Sequence, residues 1–258
     1  MSNSRFSNPR FYSAENLAAD LRVKGVPLKL ADNAAIHATR VLRLNVGDEI
    51  TLFNGDGFDY ACELLSVKKN EVLAQVNASK AIENESPLHI TLLQGISSGD
   101  RMDYTIQKAV ELGVKCIQPI STERSVVKLS VERAQKRVEH WQNVVISACE
   151  QCGRSKIPKV LTPISLLPWL ASNPEDGATR ILLNPIAAKR LAELPSPTQN
   201  IQASIQLLIG AEGGLTNTEI KAALDHGFQS ILLGPRILRT ETAALTAISA
   251  MQALWGDY

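Results

Sequence analysis

The sequence IQLLIGAEGG at residues 205–214 and the sequence SILLGPRILRTE at residues 230–241 each join a short apolar run to a glycine-containing loop. An apolar run that ends in glycine and opens a helix marks the carboxyl end of a parallel strand. Glycine lets backbone amides approach a ligand closely, and a helix N-terminus adds a partial positive charge. We therefore predict that the two loops line one crevice and that this crevice is the active site.

Length and composition are typical of an ordinary globular protein. The chain has 258 residues, of which 45% are hydrophobic and 21% charged, so it can form two domains or one large α/β domain. No apolar run approaches the roughly 20 residues that a membrane helix needs, and the polar N-terminal segment has no signal-peptide pattern. We therefore expect a cytoplasmic protein without a membrane partner.

The overall charge argues against a protein that binds nucleic acid through a wholly basic surface. The formal net charge is +1. However, cations exceed anions by seven to three up to Arg43, and by eight to three from Arg124 to Lys159. Local patches of this kind fit a polyanionic partner such as RNA, although solvated helix faces give the same pattern.

Residues 1–80 predict a small, mainly antiparallel β domain that forms a partial barrel. The run EITLF at residues 49–53 meets NGDG at residues 54–57, which is a strong hairpin signal. The polar segment 81–87 ends in proline and predicts a linker.

A short helix is expected from Asp32 or Asn33 to about residue 42. On this helix His37, Arg40 and Arg43 recur every third residue, so we predict that they share one broad face. That face is either a solvated rim of the domain or a surface that contacts phosphate groups.

Residues 88–258 show a different order of predicted elements, in which strands alternate with helices. Strands are predicted at residues 89–96, 115–120 and 179–183, in addition to the two quoted above, and helices at residues 103–112 and 131–152. This alternation predicts an α/β domain whose parallel sheet is covered on both faces.

The pair Cys149 and Cys152 has the CxxC spacing of redox and zinc sites. Both thiols fall on or beside the apolar stripe of the predicted helix 131–152, and no second pair or suitably spaced histidines accompany them. We therefore interpret them as core thiols and predict no metal site.

Both glycine-containing loops also have a purely structural interpretation. The first is followed by Thr216 and Glu219, which form a capping-box pattern, so its glycines could serve only to turn the chain into a helix. In the second, Arg239 and Glu241 could simply pair with each other. Glu212 is harder to explain as packing, and two unusual loops at equivalent strand ends favour a shared site.

Several segments together resemble the RsmE family of SPOUT-class methyltransferases, and the resemblance covers nearly the whole chain. They are LIGAEGG at residues 208–214, the pattern LGxxILRxETA at residues 233–243, ELGV at 111–114, TERS at 122–125, EQxGR at 150–154 and HxxRVLR at 37–43. Alanine at position 211 and cysteine at position 152 differ from the proline and serine that we expect in this pattern.

The resemblance implies methylation of N3 of a uridine in small-subunit (16S) ribosomal RNA, with S-adenosylmethionine (SAM) as the methyl donor. It also implies a PUA-like RNA-binding domain at residues 1–80, a linker at 81–87 and a SPOUT domain with a trefoil knot at 88–258. Neither periodicity nor spacing indicates a knot, and general topology rules disfavour one. The implied partners are 16S ribosomal RNA or the assembled small subunit, and a second copy of the chain.

The site residues fall into three predicted groups. SAM is expected against three loops that contribute Leu183, Asn184, Pro185, Gly210, Glu212, Gly213, Gly214, Leu233, Gly234, Ile237 and Leu238. The candidate catalytic residues are Arg239, Glu241 and Glu212. Either Glu241 or Glu212, as a carboxylate with a raised pKa, would take the N3 proton, and water or another residue would serve equally well as the base. The candidate RNA contacts are Arg5, Arg10, His37, Arg40, Arg43, Arg124 and Arg154.

Two other classes of protein remain as alternatives. A non-catalytic ribosome-assembly protein could use the β domain and the basic helix to hold ribosomal RNA, although it would not need the glycine loops. A nucleotide-dependent enzyme with an ordinary doubly wound fold is disfavoured, because the GxGxxG spacing and the ribose-binding acid are missing.

Overall fold

The computed structural model describes residues 8–20, 26–69, 71–125, 130–174, 177–197 and 203–258. The chain divides into two compact units. Unit 1 comprises Met1–Glu85 together with Cys149–Ile157, and unit 2 comprises Ser86–Ala148 together with Pro158–Tyr258. The membership of Cys149–Ile157 in unit 1 is a long-range feature that local sequence patterns do not predict.

Unit 1 is built on a five-stranded sheet with the order β1-β3-β4-β5-β2. The hairpin predicted at residues 54–57 is confirmed, since β3 and β4 pair antiparallel on either side of it. Side chains such as Phe11, Ile50 and Leu64 fill one hydrophobic core. The elements are β1 Arg10–Tyr12, α1 Leu17–Asp20, β2 Leu28–Lys29, α2 Asp32–Ile36, β3 Glu49–Phe53, β4 Phe58–Lys68 and β5 Glu71–Ala81.

The helix predicted up to residue 42 differs from the observed one. Helix α2 ends at Ile36 and continues as a π-helix, His37–Val41. Arg43 lies beyond the helical residues with φ of 55°, a left-handed conformation that is uncommon for a residue other than glycine. The prediction of one shared helix face for His37, Arg40 and Arg43 is therefore wrong for Arg43, although all three side chains are exposed.

Unit 2 contains a seven-stranded sheet with the order β12-β10-β11-β6-β7-β8, and β9 also pairs with β7. All of these pairings are parallel. Its strands are β6 Leu88–Gly95, β7 Cys116–Ser121, β8 Lys159–Val160, β9 Ile164–Ser165, β10 Thr179–Leu183, β11 Ala203–Ile209 and β12 Gln229–Ile231.

Helices cover this sheet, as the alternating pattern predicts. Consecutive residues of a strand point to opposite faces, and both Leu207 and Leu208 are fully buried in β11, so neither face is left to solvent. The helices are α3 Asp100–Glu111, α4 Val131–Cys152, α5 Leu166–Ser172, α6 Asn217–Asp225, α7 Thr240–Trp255 and a 3-10 turn, Leu191–Glu193.

The boundaries of several elements agree closely with the sequence patterns. Helix α4 and strand β10 have their predicted bounds. Strand β12 stops at Ile231 instead of reaching residue 234, because the chain turns there into the loop that precedes α7. The trefoil knot implied by the resemblance stays a prediction. Within the described residues no helix is long and apolar enough to cross a membrane.

Candidate active site at the carboxyl edge of the sheet

A cavity of about 530 Å³ opens in unit 2 where β10, β11 and β12 end. Because these strands are parallel neighbours, their carboxyl ends meet at one edge of the sheet, which is where ligands bind in open α/β sheets. The volume lies in the usual range for small-molecule pockets. Every residue predicted to bind the cofactor lines this cavity, and so do the three predicted catalytic residues and Arg124.

The first loop, residues 210–214, needs glycine because other backbone segments approach it closely. A Cβ atom on Gly95, at the end of β6, would lie 2.2 Å from the backbone nitrogen of Ala211. A Cβ atom on Gly213 would lie 2.8 Å from Cβ of Arg124 and 3.0 Å from its carbonyl oxygen. The glycines thus allow the loop to pack against two neighbouring strand ends, in addition to turning the chain.

Arg124 braces this loop from the segment that follows β7. Its guanidinium donates hydrogen bonds to the carbonyl oxygens of Gly213, at 3.2 Å, and Leu215, at 3.3 Å. Arg124 was predicted to contact RNA, whereas these contacts assign its side chain to the wall of the cavity.

Glu219 provides a second brace between the same two segments. Its side chain accepts hydrogen bonds from the backbone N–H of Glu123, at 2.9 Å, and from the backbone N–H of Thr216, at 2.8 Å. Thr216 in turn caps α6, so the predicted capping box is confirmed. Glu219 is only 2% exposed, which makes it the buried anchor of the loop.

Thr240, the first residue of α7, fastens the second loop to the first. Its hydroxyl donates to the carbonyl oxygen of Gly210 at 2.6 Å and accepts from the side-chain amide of Gln94 at 2.8 Å. Both Gln94 and Thr240 are buried. The three strand ends are therefore tied together by a buried network that sequence patterns did not single out.

Arg239 and Glu241 flank Thr240, and no ion pair joins them among the contacts of the described residues. This removes the simplest structural interpretation of the loop. Arg239 is exposed at the N-terminus of α7. One carboxylate oxygen of Glu241, Oε2, is buried and has no hydrogen-bond partner among the described residues. A buried acceptor without a partner is costly, so this oxygen is suited to a donor that a ligand would supply.

Glu212 is held differently from Glu241. Its Oε1 accepts hydrogen bonds from the backbone N–H of Ser98 at 2.8 Å, from the Ser98 hydroxyl at 3.0 Å and from Arg101 at 3.3 Å. Partial burial raises the pKa of Glu212, but these donors and the backbone N–H of Glu212 itself outweigh it and hold the pKa below its usual value. The predicted raised pKa is therefore wrong for Glu212, which is ionised at neutral pH and poorly suited to act as a base.

Arg101, Ser98 and Arg236 belong to the site but were missed as functional residues. Arg101 and Arg236 line the cavity, and Ser98 holds Glu212. The signal for Arg101 was present, because it follows a glycine-ended strand, β6, in the same way that the two quoted loops follow theirs.

Two of the predicted RNA contacts are buried inside unit 1. Arg10 pairs with Asp59 and donates to the Ser155 hydroxyl at 3.2 Å. Arg154 makes a two-pronged pair with Glu85, with both distances at 2.8 Å. Because both arginines are below 9% exposed, we do not retain them as RNA contacts. Arg5 lies outside the described residues.

Cys149 shows the features of a core thiol, whereas Cys152 is half-buried. Neither cysteine forms a disulfide bond within the described residues. Burial raises the pKa of Cys149 to about 12, which opposes formation of the thiolate that metal binding requires. No group of three or more metal-type ligands occurs in the part of the chain that the structure describes.

Comparison with known proteins first defines the class of protein to which this chain belongs. The model of an RNA methyltransferase domain matches residues 84–252, and the model of an RNA methyltransferase PUA domain matches residues 30–77. The fold is thus a parallel-sheet methyltransferase domain of SPOUT type preceded by a PUA-like domain.

Individual relatives narrow this class to one family. The chain is 36% identical to the ribosomal RNA small subunit methyltransferase E of Buchnera aphidicola, over 89% of this chain and 88% of the relative. The enzyme of the same name from Neisseria gonorrhoeae, solved with S-adenosylmethionine bound, is 44% identical with a TM-score of 0.87, over 97% of this chain and 99% of that one.

A Legionella pneumophila methyltransferase solved with bound SAM has a TM-score of 0.89 at 38% identity, over 98% of this chain and 100% of that one. The present chain belongs to the ribosomal RNA small subunit methyltransferase E family.

Proposed function

We propose that this protein transfers a methyl group from SAM to N3 of a uridine in 16S ribosomal RNA. The observation that carries the proposal is the cavity at the carboxyl edge of the sheet, which gathers every residue predicted for the cofactor. Membership in the methyltransferase E family, two of whose structural relatives hold SAM, supports the same conclusion.

The lining of the cavity fits the cofactor in size and chemistry. Apolar side chains such as Leu183, Ile209 and Leu238 can cover an adenine ring, and the glycine loop offers backbone amides at short range. The partnerless oxygen of Glu241 can accept a hydrogen bond from a ligand. When bound, SAM supplies a methyl group on a positively charged sulfur and carries its own leaving group.

The residues of the chain must then orient the uridine and manage its proton. N3 of uridine bears a proton and is a poor nucleophile until that proton leaves. We assign the proton to Glu241, because its Oε2 is buried without a partner, whereas Glu212 is already held ionised by Ser98 and Arg101. Arg239 would stabilise charge that develops on the pyrimidine oxygens, a contribution of about 3 kcal/mol for one such donor.

We assign RNA contacts outside the cavity to His37, Arg40 and Arg43, which are exposed in unit 1. The left-handed conformation of Arg43 supports a functional role, since backbone strain clusters at functional sites. In this proposal the domain at residues 1–80 binds RNA, and the domain at residues 88–258 catalyses methyl transfer. Residues 81–87 link the two domains. We also propose that the protein acts in the cytoplasm on small-subunit RNA. It would act as a homodimer, which light scattering would detect as twice the chain mass of 28.1 kDa.

The test is methyl transfer measured by nucleoside mass spectrometry. Purified protein and SAM would be incubated with 16S RNA lacking the modification, either free or assembled in small subunits. N3-methyluridine should accumulate with wild type and should be strongly reduced with Glu241→Gln. Binding of the RNA without any methylated uridine, in either form of substrate, would favour a non-catalytic assembly protein instead.

A further inference from the structure

The helical segment of unit 1 that follows β2 exposes its larger apolar side chains and buries its small ones. Its alanines, Ala34, Ala35 and Ala38, lie in the hydrophobic core. The exposed apolar side chains of the same segment are Ile36, Val41, Leu42 and Val46, at 45%, 66%, 40% and 64%. A surface helix normally turns its larger apolar residues towards the core, and a cluster of exposed ones marks an interaction site. This inverted pattern indicates that the segment has a partner.

The π-helix gathers these side chains on one surface. The backbone N–H of Leu42 donates to the carbonyl oxygen of His37, five residues earlier, at 3.0 Å. Residues five apart therefore occupy successive turns, which brings Ile36 near Val41 and His37 near Leu42. In an α-helix the members of each pair would be separated by about 140° around the axis. The exposed side chains that define this surface, here called the Ile36–Val46 surface, are Ile36, His37, Arg40, Val41, Leu42, Arg43 and Val46.

The ring of His37 is held in a fixed orientation from the core side. Its centroid lies 5.8 Å from that of Phe11, with an angle of 87° between the two ring planes, which is an edge-to-face contact. Phe11 is only 1% exposed in β1, whereas His37 is exposed. Because a buried ring fixes the exposed one, His37 can stack against a flat group such as a nucleobase at a low cost in side-chain entropy.

The charged side chains of the Ile36–Val46 surface, Arg40 and Arg43, are both cations. Neither forms an ion pair with another described residue, and the sequence has no acidic residue at positions 33–47. Glu150 interacts electrostatically with His37, but its carboxylate is half-buried and accepts a hydrogen bond from a backbone N–H. The surface therefore combines available cations with apolar contact area, which complements a polyanion that also presents flat apolar groups.

Unpaired RNA has both of these properties. A duplex hides its base faces in the stack and presents phosphates, hydroxyl groups and base edges, whereas an unpaired segment exposes base faces to stacking and apolar contact. Contact between two copies of the surface would bring the arginines of both together, which is unfavourable. We propose that the Ile36–Val46 surface binds unpaired nucleotides of the RNA substrate. Base faces contact the His37 ring and the apolar side chains, and phosphates contact Arg40 and Arg43. The inference rests on the proposed function, because it assigns a feature of the substrate to the domain proposed to bind RNA.

The test measures fluorescence anisotropy of two RNA probes with the full-length protein. One probe is a labelled strand of about 12 nucleotides without self-complementarity, and the other is the same strand annealed to its complement. The proteins are wild type, His37→Ala, the double variant Val41→Thr with Val46→Thr, Arg40→Gln and, as a matched control, Val26→Thr. Val26, also in unit 1, is 53% exposed and lies outside the surface. Threonine is β-branched like valine, so these changes mainly alter polarity, and thermal unfolding would verify that each variant is folded.

The expected result separates the two probes. His37→Ala should weaken binding of the single strand by about five- to tenfold, the lower part of the range for one base-stacking contact, and the double valine variant by about three- to fivefold. Both should leave duplex binding within about twofold of wild type. Arg40→Gln should weaken both probes, and the slope of log affinity against log salt for the single strand should become shallower by about 0.7. Val26→Thr should change neither probe.

Three results would overturn the proposal: equal losses for single strand and duplex, no loss in either apolar or histidine variant, or failure of wild type to bind the single strand. A smaller mass of the double variant in light scattering, with RNA binding unchanged, would instead assign the surface to contact between copies of the chain. Unchanged RNA binding with reduced methylation of assembled small subunits would assign it to a ribosomal protein. The expected binding pattern without any N3-methyluridine would support the surface and contradict the proposed methyl transfer.

Discussion

Replacement of Arg124 by alanine should weaken SAM binding without RNA being present. The Arg124 guanidinium donates to two carbonyl oxygens, those of Gly213 and Leu215, and thereby holds the glycine loop that lines part of the cavity. Hydrogen bonds to charged groups contribute about 1.5–3 kcal/mol when buried, but Arg124 is exposed. We therefore expect about 1 kcal/mol for the two bonds together, which corresponds to roughly fivefold in affinity.

The assay is calorimetric titration of SAM into Arg124→Ala and Arg124→Met, beside wild type. Methionine retains the apolar stem that packs near Gly213, so the difference between the two variants separates packing from hydrogen bonding. Titration of RNA at several salt concentrations would run in parallel. Unchanged SAM affinity, together with a shallower salt dependence of RNA binding, would show that Arg124 does not hold the loop for SAM. Arg124 would then be a contact to RNA phosphate, as the sequence predicted.

Three further predictions concern single carboxylates and their partners. Glu241→Gln should lower the rate of methyl transfer by about 10²- to 10⁴-fold while SAM affinity stays within a factor of about three of wild type; a rate equal to that of wild type would remove Glu241 as the base. Arg154→Ala should leave Glu85 partly buried without its two-pronged partner and lower the free energy of unfolding by about 3 kcal/mol, measured by chemical denaturation; a change below about 0.5 kcal/mol would contradict the network in unit 1. Because the pKa of Glu212 is lowered on folding, its contribution to stability is present above the unfolded pKa near 4.5 and is lost as the pH falls through the folded value. In the Glu212→Gln variant, the melting temperature should therefore fall less steeply than in wild type as the pH is lowered below 4.5. The same dependence of melting temperature on pH in both proteins would contradict the lowered pKa of Glu212.

Local patterns were sufficient for the elements that position the site. The two loops at residues 205–214 and 230–241 were placed at one sheet edge because parallel strands end on the same side, and the structure gathers their predicted residues in one cavity. Helix α4 was predictable because its apolar stripe is long, and the capping box at Thr216 because it depends only on residues three positions apart.

Long-range pairings were not predictable from the sequence. Arg10 and Arg154 looked like exposed cations, but each meets a carboxylate that is distant in the chain, Asp59 or Glu85. The lowered pKa of Glu212 arises from its own backbone N–H and from Ser98 and Arg101. Ser98 and Arg101 precede it by more than a hundred residues. A charge pattern in sequence reports which ionisable groups exist, while tertiary contacts decide which of them remain available.

Two residues at the strand ends show why some parts of the site could not be predicted from the sequence. Gln94 and Thr240 were not singled out because each is unremarkable among its sequence neighbours, yet together with Gly210 they form one buried hydrogen-bonded chain. A buried amide bonded to a hydroxyl becomes significant only when the fold brings the two together.

The central claim is that SAM binds in the cavity between the two loops. Titration of SAM into wild type, Gly213→Trp and Arg239→Ala, with Arg137→Ala on the exposed face of α4 as a control outside the cavity, would test it most directly. A side chain at Gly213 must collide with Arg124, so we expect measurable binding by wild type, no binding by Gly213→Trp, and retained binding by the other two variants. Undiminished binding by a folded Gly213→Trp protein, or no heat from folded wild type, would contradict the account.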